Sequence, residues 1–341
     1  MAIWAGGTTI NTTEMAMVVN KVYNKKAINI AKRKNGLLYA IYGKDESGSI
    51  PLDQADKFVR MGQVNGHNFE VRLVGALPSP AGVTDGANEL ATVNLSSNYD
   101  SAAFGGSEFA IAHYTWTEPL PHHQLYRYVG DEAKTAGYLQ EVFDRVMSGY
   151  ENVIGNAING SSAPARDQIG GWAYAVATDN TYGGIDRTDS ANASFRGNVR
   201  AASGGTLTLP LVRSAQNDCI IGGGNPEIGL GDQTVYELLQ QKIEPYSQIT
   251  YDKSGWTRFG GVFFEYAGTK WILDQRAPSN TLGILDPSTF VFIYKNMGLT
   301  NAAAIMPDPS RAAAHVMPTE IWCQLVCVKP NSNAKITGVT S

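Results

Sequence analysis

Charge is scarce in this chain. Lysine, arginine, aspartate and glutamate make up 17 % of its 341 residues, against roughly 25 % in ordinary soluble domains, so much of the surface is neutral. The 27 basic residues do not balance the 31 acidic ones, and the net charge is −4. That excludes a dedicated nucleic-acid binder, which needs a basic surplus to displace counterions from phosphate; contact with DNA is expected to be weak and local. A basic segment followed by an apolar one is missing from Met1 to Thr9, and no run reaches the roughly eighteen apolar residues of a membrane span. No membrane partner is expected, and the chain is read as staying in the cytoplasm.

Cysteine is nearly absent too. Cys219, Cys323 and Cys327 have no metal-ligand or redox spacing, and the alternation Cys323, Leu325, Cys327 predicts one buried strand face. Motifs for chemistry are also lacking. The run Gly222 to Gly231 has many glycines but no Lys-Ser/Thr pair, so it reads as a loop and not a phosphate cradle. His122 and His123 are neighbours that face different ways, and His67, His113 and His315 lack ligand spacing. No Gly-x-Ser-x-Gly elbow occurs. Asp186, Arg187 and Asp189 form the compact charged cluster of the chain; it reads as an ion-pair network fixing a turn or a subunit contact, with a catalytic acid group as the sharper alternative. No catalytic residue, cofactor or metal is therefore expected.

Glycine is plentiful, at 36 residues, and the patterning around it is mixed. Asn11 with Glu14 resembles a capping box opening a helix over Met15, Val18, Val19 and Val22. The basic residues Lys21, Lys25, Lys26, Lys32, Arg33 and Lys34 lie along and after it; they could face packaged DNA or form a solvated side. Alternation at Phe69, Val71 and Leu73, then at Phe109, Ile111 and Trp116, predicts a long hairpin. Its middle is poor in apolar residues, so it must rest on a neighbour. The segment holds Glu70, Asp85, Glu89, Asp100, Glu108 and Glu118 against Arg72 alone, which predicts a basic docking surface.

Residues 131–158 have the clearest helical period: Leu139, Val142, Phe143, Val146, Met147, Tyr150, Val153, Ile154, Ala157 and Ile158. At 1.5 Å per residue that helix is roughly 40 Å long, a domain's spine. Further helices are predicted over Leu207 to Asn217 and Thr234 to Lys242. Two strands are predicted to turn at Ala267-Gly268, and closing strands at Ser288 to Lys295, Ile321 to Lys329 and Lys335 to Val339. Helices and strands mixed without a βαβ rhythm indicate α+β.

The order of these segments resembles the bacteriophage major capsid proteins of the Hong Kong 97-like fold, over nearly the whole chain. The resemblance is carried by Gly183-Gly184-Ile185-Asp186-Arg187 with Phe195-Arg196, by Ile158-Asn159-Gly160 at the end of the spine helix, and by Tyr236-Glu237-Leu238-Leu239. Gly260-Gly261-Val262-Phe263-Phe264, Trp271-Ile272-Leu273-Asp274 and Trp322-Cys323-Gln324-Leu325-Val326-Cys327 complete it. It implies an N-terminal arm (1–61), an extended loop (62–120), a peripheral domain on the spine helix (121–168 and 286–341) and an axial domain (169–285). It also implies pentamers and hexamers closing into an icosahedral shell around a genome, assembled in the host cytoplasm. Intersubunit contacts are then expected at Glu70, Asp85, Glu89, Asp100, Glu108, Asp186 and Arg187.

Some members of that family weld the shell from an extended-loop lysine, but no lysine lies between Gly62 and Pro119, so no such crosslink is expected. Non-covalent clamps, a separate scaffolding protein, a portal and cement proteins are the expected partners. An encapsulin-like nanocompartment shell, which encloses cargo in place of a genome, is the alternative.

Overall fold

The computed structural model describes residues 37, 68–75, 104–121, 132–164, 168–243, 263–299, 306–307 and 314–340. The helix expected from Asn11, the basic run Lys25, Lys26, Lys32, Arg33 and Lys34, and His122 and His123 lie outside them.

Strand β1 (Asn68–Val74) pairs antiparallel with β2 (Phe104–Ala110), as the alternation implied. The second half of that expected hairpin strand does otherwise. After Ile111 the chain enters β3 (Ala112–Pro121), which pairs with another strand far along the chain. Phe109 and Trp116 thus belong to different sheets. The spine helix α1 (Glu132–Ile158) follows. Val142, Val146, Tyr150, Ile154 and Ile158 are buried at steps of four residues along one face. Each contributes about 1.5–3 kcal/mol of burial, which outweighs the glycine cost within the helix. Val153, counted among the apolar positions, is instead 41 % exposed.

The single turn α2 (Trp172–Ala175) leads to a small hairpin, β4 (Thr181–Tyr182) and β5 (Ile185–Asp186). After β6 (Asn198–Ala201) comes α3 (Leu209–Ile221), capped by Thr208, whose hydroxyl accepts from the Leu211 amide. Then come β7 (Ile228–Gly231) and α4 (Gln233–Ile243). The glycine run is therefore a loop only in its first half. Next, β8 (Phe263–Tyr266) and β9 (Thr269–Leu273) turn through Ala267 and Gly268, with φ of 53° and 78°. This pair of left-handed residues matches the twist of a two-residue hairpin.

The remaining strands are β10 (Thr281–Leu285), β11 (Phe290–Leu299), β12 (Met306–Pro307), β13 (Ala314–Cys327) and β14 (Ala334–Thr337). They complete two larger sheets: β6-β14-β10-β7-β9-β8, and β11-β13-β12 with β3 on β13. The closing strand β14 thus joins the six-stranded sheet and not β11 and β13. Mixed pairing, parallel at β7–β9 and β14–β6 and antiparallel elsewhere, makes the chain α+β.

The six-stranded sheet is buried on both faces. Trp271, Leu282, Ile284 and Ile336 pack with Val212 of α3 and Leu239 of α4. Ile228, Leu230, Ile272 and Leu285 join the core of α1, α2 and the four-stranded sheet. Tyr150 ties that second layer together: its hydroxyl donates to Thr319 O at 2.8 Å, and Thr319 Oγ1 donates to Trp116 O at 3.1 Å. No helix among the described residues is long and apolar enough to cross a membrane.

All three cysteines are free and buried. Desolvation pushes the thiols of Cys219 and Cys327 up to about 12, and that of Cys323 far up as well. The neutral thiols thus contribute stability that is fully present below the unfolded value near 9 and is lost as pH rises toward about 12. At pH 8 a disulfide reagent is expected to leave all three unmodified in the native protein and to label all three after denaturation. Fast labelling of any one in the native state contradicts this packing.

Candidate interaction site

The root of the β1–β2 hairpin is held at both strands. On the β1 side, Val74 N donates to Val328 O at 2.8 Å, and Asn331 Nδ2 to Gly75 O at 2.9 Å. On the β2 side, Glu108 N donates to Gly183 O at 3.0 Å. Gly183 has φ of +57°, and a Cβ there would lie 2.6 Å from Ser107 Cβ and 2.7 Å from Phe109 Cζ. Glycine is required twice over, for the left-handed backbone and for the close approach of β2. Phe109 then sets its ring edge-on to Tyr182, 5.0 Å between centroids.

A single residue, Ile111, separates β2 from β3, and Gln324 of β13 clasps this bend. Its Nε2 donates to Ala110 O at 2.7 Å and to Gln168 O at 3.3 Å, while its Oε1 accepts from Gly170 N at 2.9 Å and Leu325 N at 3.0 Å. Both donors and both acceptor positions of the buried amide are used. A cleft of about 200 Å³ opens beside it, between Glu108, Pro164, Gln168, Tyr174, Thr181 and Gly183. Sequence reasoning assigned Gln324 no such role. The available signal was a lone polar side chain inside the apolar run Trp322 to Cys327.

Arg187 lies under this root and is 0 % exposed. The ion-pair reading of its cluster does not hold: its guanidinium meets carbonyls, not carboxylates. Nη1 donates to Ala175 O at 2.7 Å and Phe195 O at 3.3 Å, Nη2 to Tyr174 O at 3.2 Å, and Nε to Asn180 Oδ1 at 2.8 Å. The cation stands 4.8 Å from the Tyr182 ring centroid, and burial pulls its pKa below the usual arginine value. Complete burial within its own subunit gives Arg187 an internal role in place of the expected intersubunit contact.

The carboxylates turn outward into local turns. Asp186 accepts from Thr188 N and Oγ1, which hold its pKa below the usual range, and Asp189 accepts from Ala191 N. Arg196 closes the loop from outside, donating to Arg187 O and Thr188 O. On α2, Lys335 Nζ donates to Ala173 O at 2.6 Å. Desolvation, then the nearby Arg187 charge, brings Lys335 down to about 8.

The acidic residues of the hairpin divide. Glu70 and Glu108 are directly opposite in the register of β1 and β2. Glu108 is exposed. Glu118 is spent inside the subunit, 7 % exposed, where Arg145 of α1 and Trp116 Nε1 reach it. Asp85, Glu89 and Asp100 lie outside the described residues. Among those described, no group of three or more His, Cys, Asp or Glu side chains could hold a metal.

No family model matches the sequence, and no curated protein matches it. Solved structures do. A chain of the cyanophage A-1(L) capsid superposes with a TM-score of 0.53 at 12 % identity, covering 81 % of this chain and 89 % of that one. A chain of Microbacterium phage Oxtober96 gives 0.51 at 11 %, over 83 % and 90 %. A chain from the capsid of an empty GTA particle gives 0.51 at 10 %, over 83 % and 89 %. With its hairpin root, spine helix and two-sheet core, the chain has the Hong Kong 97-like fold of phage capsid proteins.

Proposed function

We propose that this chain is the major capsid protein of a tailed double-stranded DNA phage, assembling as pentamers and hexamers into an icosahedral shell around the genome. The observation that carries this reading is the likeness in fold to phage capsid chains along most of both lengths. In this reading residues 1–61 are the arm and 62–120 the extended loop. Residues 121–168 with 286–341 form the peripheral domain, and 169–285 the axial domain. The protein is structural and does no chemistry. Its partners are further copies of itself, a scaffolding protein, a portal and cement proteins; Lys25, Lys26, Lys32, Arg33 and Lys34 touch packaged DNA weakly, and the site of action is the virion.

The anchored hairpin gives the shell its clamp. Glu70, Asp85, Glu89, Asp100 and Glu108 set acidic charge against a basic surface of the next subunit, and Asp186, on its exposed turn, adds a further contact. Negative-stain electron microscopy of the chain, expressed with and without its neighbouring genes, tests the reading. Closed polyhedra or five- and six-membered rings are expected, and packaged DNA in place of a cargo enzyme. A uniform monomer or dimer under every condition refutes it. Within assembled shells, a Glu89→Lys, Asp100→Lys double variant is expected to lower heat resistance in a salt-dependent way. Shells as heat-stable as the parent's exclude the electrostatic clamp.

A further inference from the structure

Two cations stand at the end of α2 with no acid paired to either. A helix ends on carbonyls that its own amides do not reach, and in this single turn the last three are met from outside. Lys335 Nζ of β14 donates to Ala173 O at 2.6 Å, while the Arg187 guanidinium takes Tyr174 O at 3.2 Å and Ala175 O at 2.7 Å. The Asn180 side-chain amide joins at Tyr174 O, at 2.9 Å. Among the described residues neither cation has a carboxylate within ion-pair distance. Like charges this close repel, and more strongly where water is excluded; Arg187 is fully buried and Lys335 half-buried.

The sheet places Lys335 in this position. In register it lies opposite Gly283 of β10 on one side and Val199 of β6 on the other. Gly283 is the residue that makes room for Trp172, the first residue of α2, so the amine spans the joint between the six-stranded sheet and α2. The charges around it are few. β10 brings no titratable side chain, and Arg200 of β6 is taken by Asp218 of α3 at 2.5 and 2.9 Å. From α2 comes Tyr174, whose phenol burial pushes up. From the segment after α2 come buried Arg187 and the exposed Asp179, and these two act on the Lys335 charge in opposite directions.

We propose that Lys335 is a pH-sensitive catch in this joint: with its proton it repels Arg187 and loosens the hold of β14 on α2, and without it the joint closes. A neutral amine still has an N–H for Ala173 O, so losing the proton removes the repulsion and keeps the hydrogen bond. Desolvation, then Arg187, brings the group from 10.5 down to about 8. The unfolded chain therefore holds more protons than the folded one between about 8 and 10.5, and stability contributed by Lys335 rises with pH across that window. The buried thiols act in the other direction above pH 9, so the catch is read against a variant that shares them. α2 leads on to Gly183, on which Glu108 of β2 rests, so the catch bears on the hairpin root. It belongs to the single chain and does not depend on the shell reading.

Urea denaturation of the full chain between roughly pH 7 and pH 10 tests the catch, with the parent beside Lys335→Met, which retains the length of the side chain and cannot titrate. The parent's folding constant divided by the variant's is expected to rise about tenfold or more across that range. A ratio that stays within about twofold overturns the proposal, because a merely structural lysine lowers stability equally at every pH. Asp179→Asn keeps the test decisive if the methionine variant fails to fold. Asp179 is exposed and helps Lys335 hold its proton, so its removal is expected to move the parent's gain in stability to lower pH. A gain that stays at the same pH overturns the proposal. Amide exchange over residues 172–183, corrected for its intrinsic pH dependence, is expected to slow in the parent across the same window; unchanged protection there also overturns it.

Discussion

An Arg187→Lys variant is expected to melt about 5–10 °C below the parent, and Arg187→Met to do no better. The guanidinium is a planar fork that serves the carbonyls of Tyr174, Ala175 and Phe195 together with the Asn180 side chain. A lysine retains the charge but offers one compact donor group in place of that fork. Methionine restores apolar volume and leaves several buried carbonyls without a donor. Leaving buried acceptors unsatisfied costs about 1–3 kcal/mol, a large part of a typical domain's stability. The loss should reach the hairpin as well, because Arg187 supports Tyr182, Tyr182 meets Phe109 of β2, and the Tyr182 hydroxyl accepts from Cys327 N at 2.7 Å. Faster proteolysis near residue 104 in the variant is therefore expected alongside the lower melting temperature. A Lys variant melting within a degree of the parent would show that charge alone suffices and that the fork geometry is unimportant.

Gly229→Ala is expected to destabilise the fold by about 3 kcal/mol, at the upper end of overpacking effects. Gly229 lies in β7 between β10 and β9, opposite Trp271 in register. A Cβ at this position would come within 2.0 Å of Trp271 Cε3. The indole is 1 % exposed and part of the core between the sheet and the two helices α3 and α4, so it has nowhere to move. Gly283 of β10 makes the equivalent accommodation on the other face for Trp172, at 2.6 Å from Cη2. That indole is held from behind, its Nε1 donating to Asn159 Oδ1 at 2.6 Å. Chemical denaturation checks the prediction. Adding Trp271→Leu to Gly229→Ala should recover part of the loss, so that the two changes are non-additive. Purely additive losses would show that the glycine is needed for some reason other than the ring.

The glycine run marks where reading residues in order stops being sufficient. From Gly222 to Gly231 the composition argues for a loop throughout, and Gly222 and Gly223 are a turn. The next glycines, Gly229 and Gly231, sit in a central strand. The reason is a tryptophan forty-two residues later that fills the space a side chain would take, and no local pattern announces it. The Asp186–Arg187 cluster fails similarly. Opposite charges adjacent in sequence suggested ion pairs, but the backbone carries Arg187 inward to carbonyls and leaves Asp186 on an exposed turn. The two-residue turn at Ala267-Gly268 and the long period of α1 were legible because their determinants are neighbours in the chain.

The same division holds for the candidate interaction site. Alternating residues set β1 and β2 locally, and the acidic bias of the hairpin is plain composition. The division at Ile111, where the chain leaves one sheet for another, depends on Gln324, more than two hundred residues away. Outside the strand Ile228–Gly231, local periodicity, capping and turn chemistry largely decided which segments are helix and which are strand, because those terms act within a few residues. Strand partners, the burial of Arg187, the inward turn of Glu118 and the exposure of Val153 were decided only by tertiary structure, because each depends on which distant surface arrives opposite it.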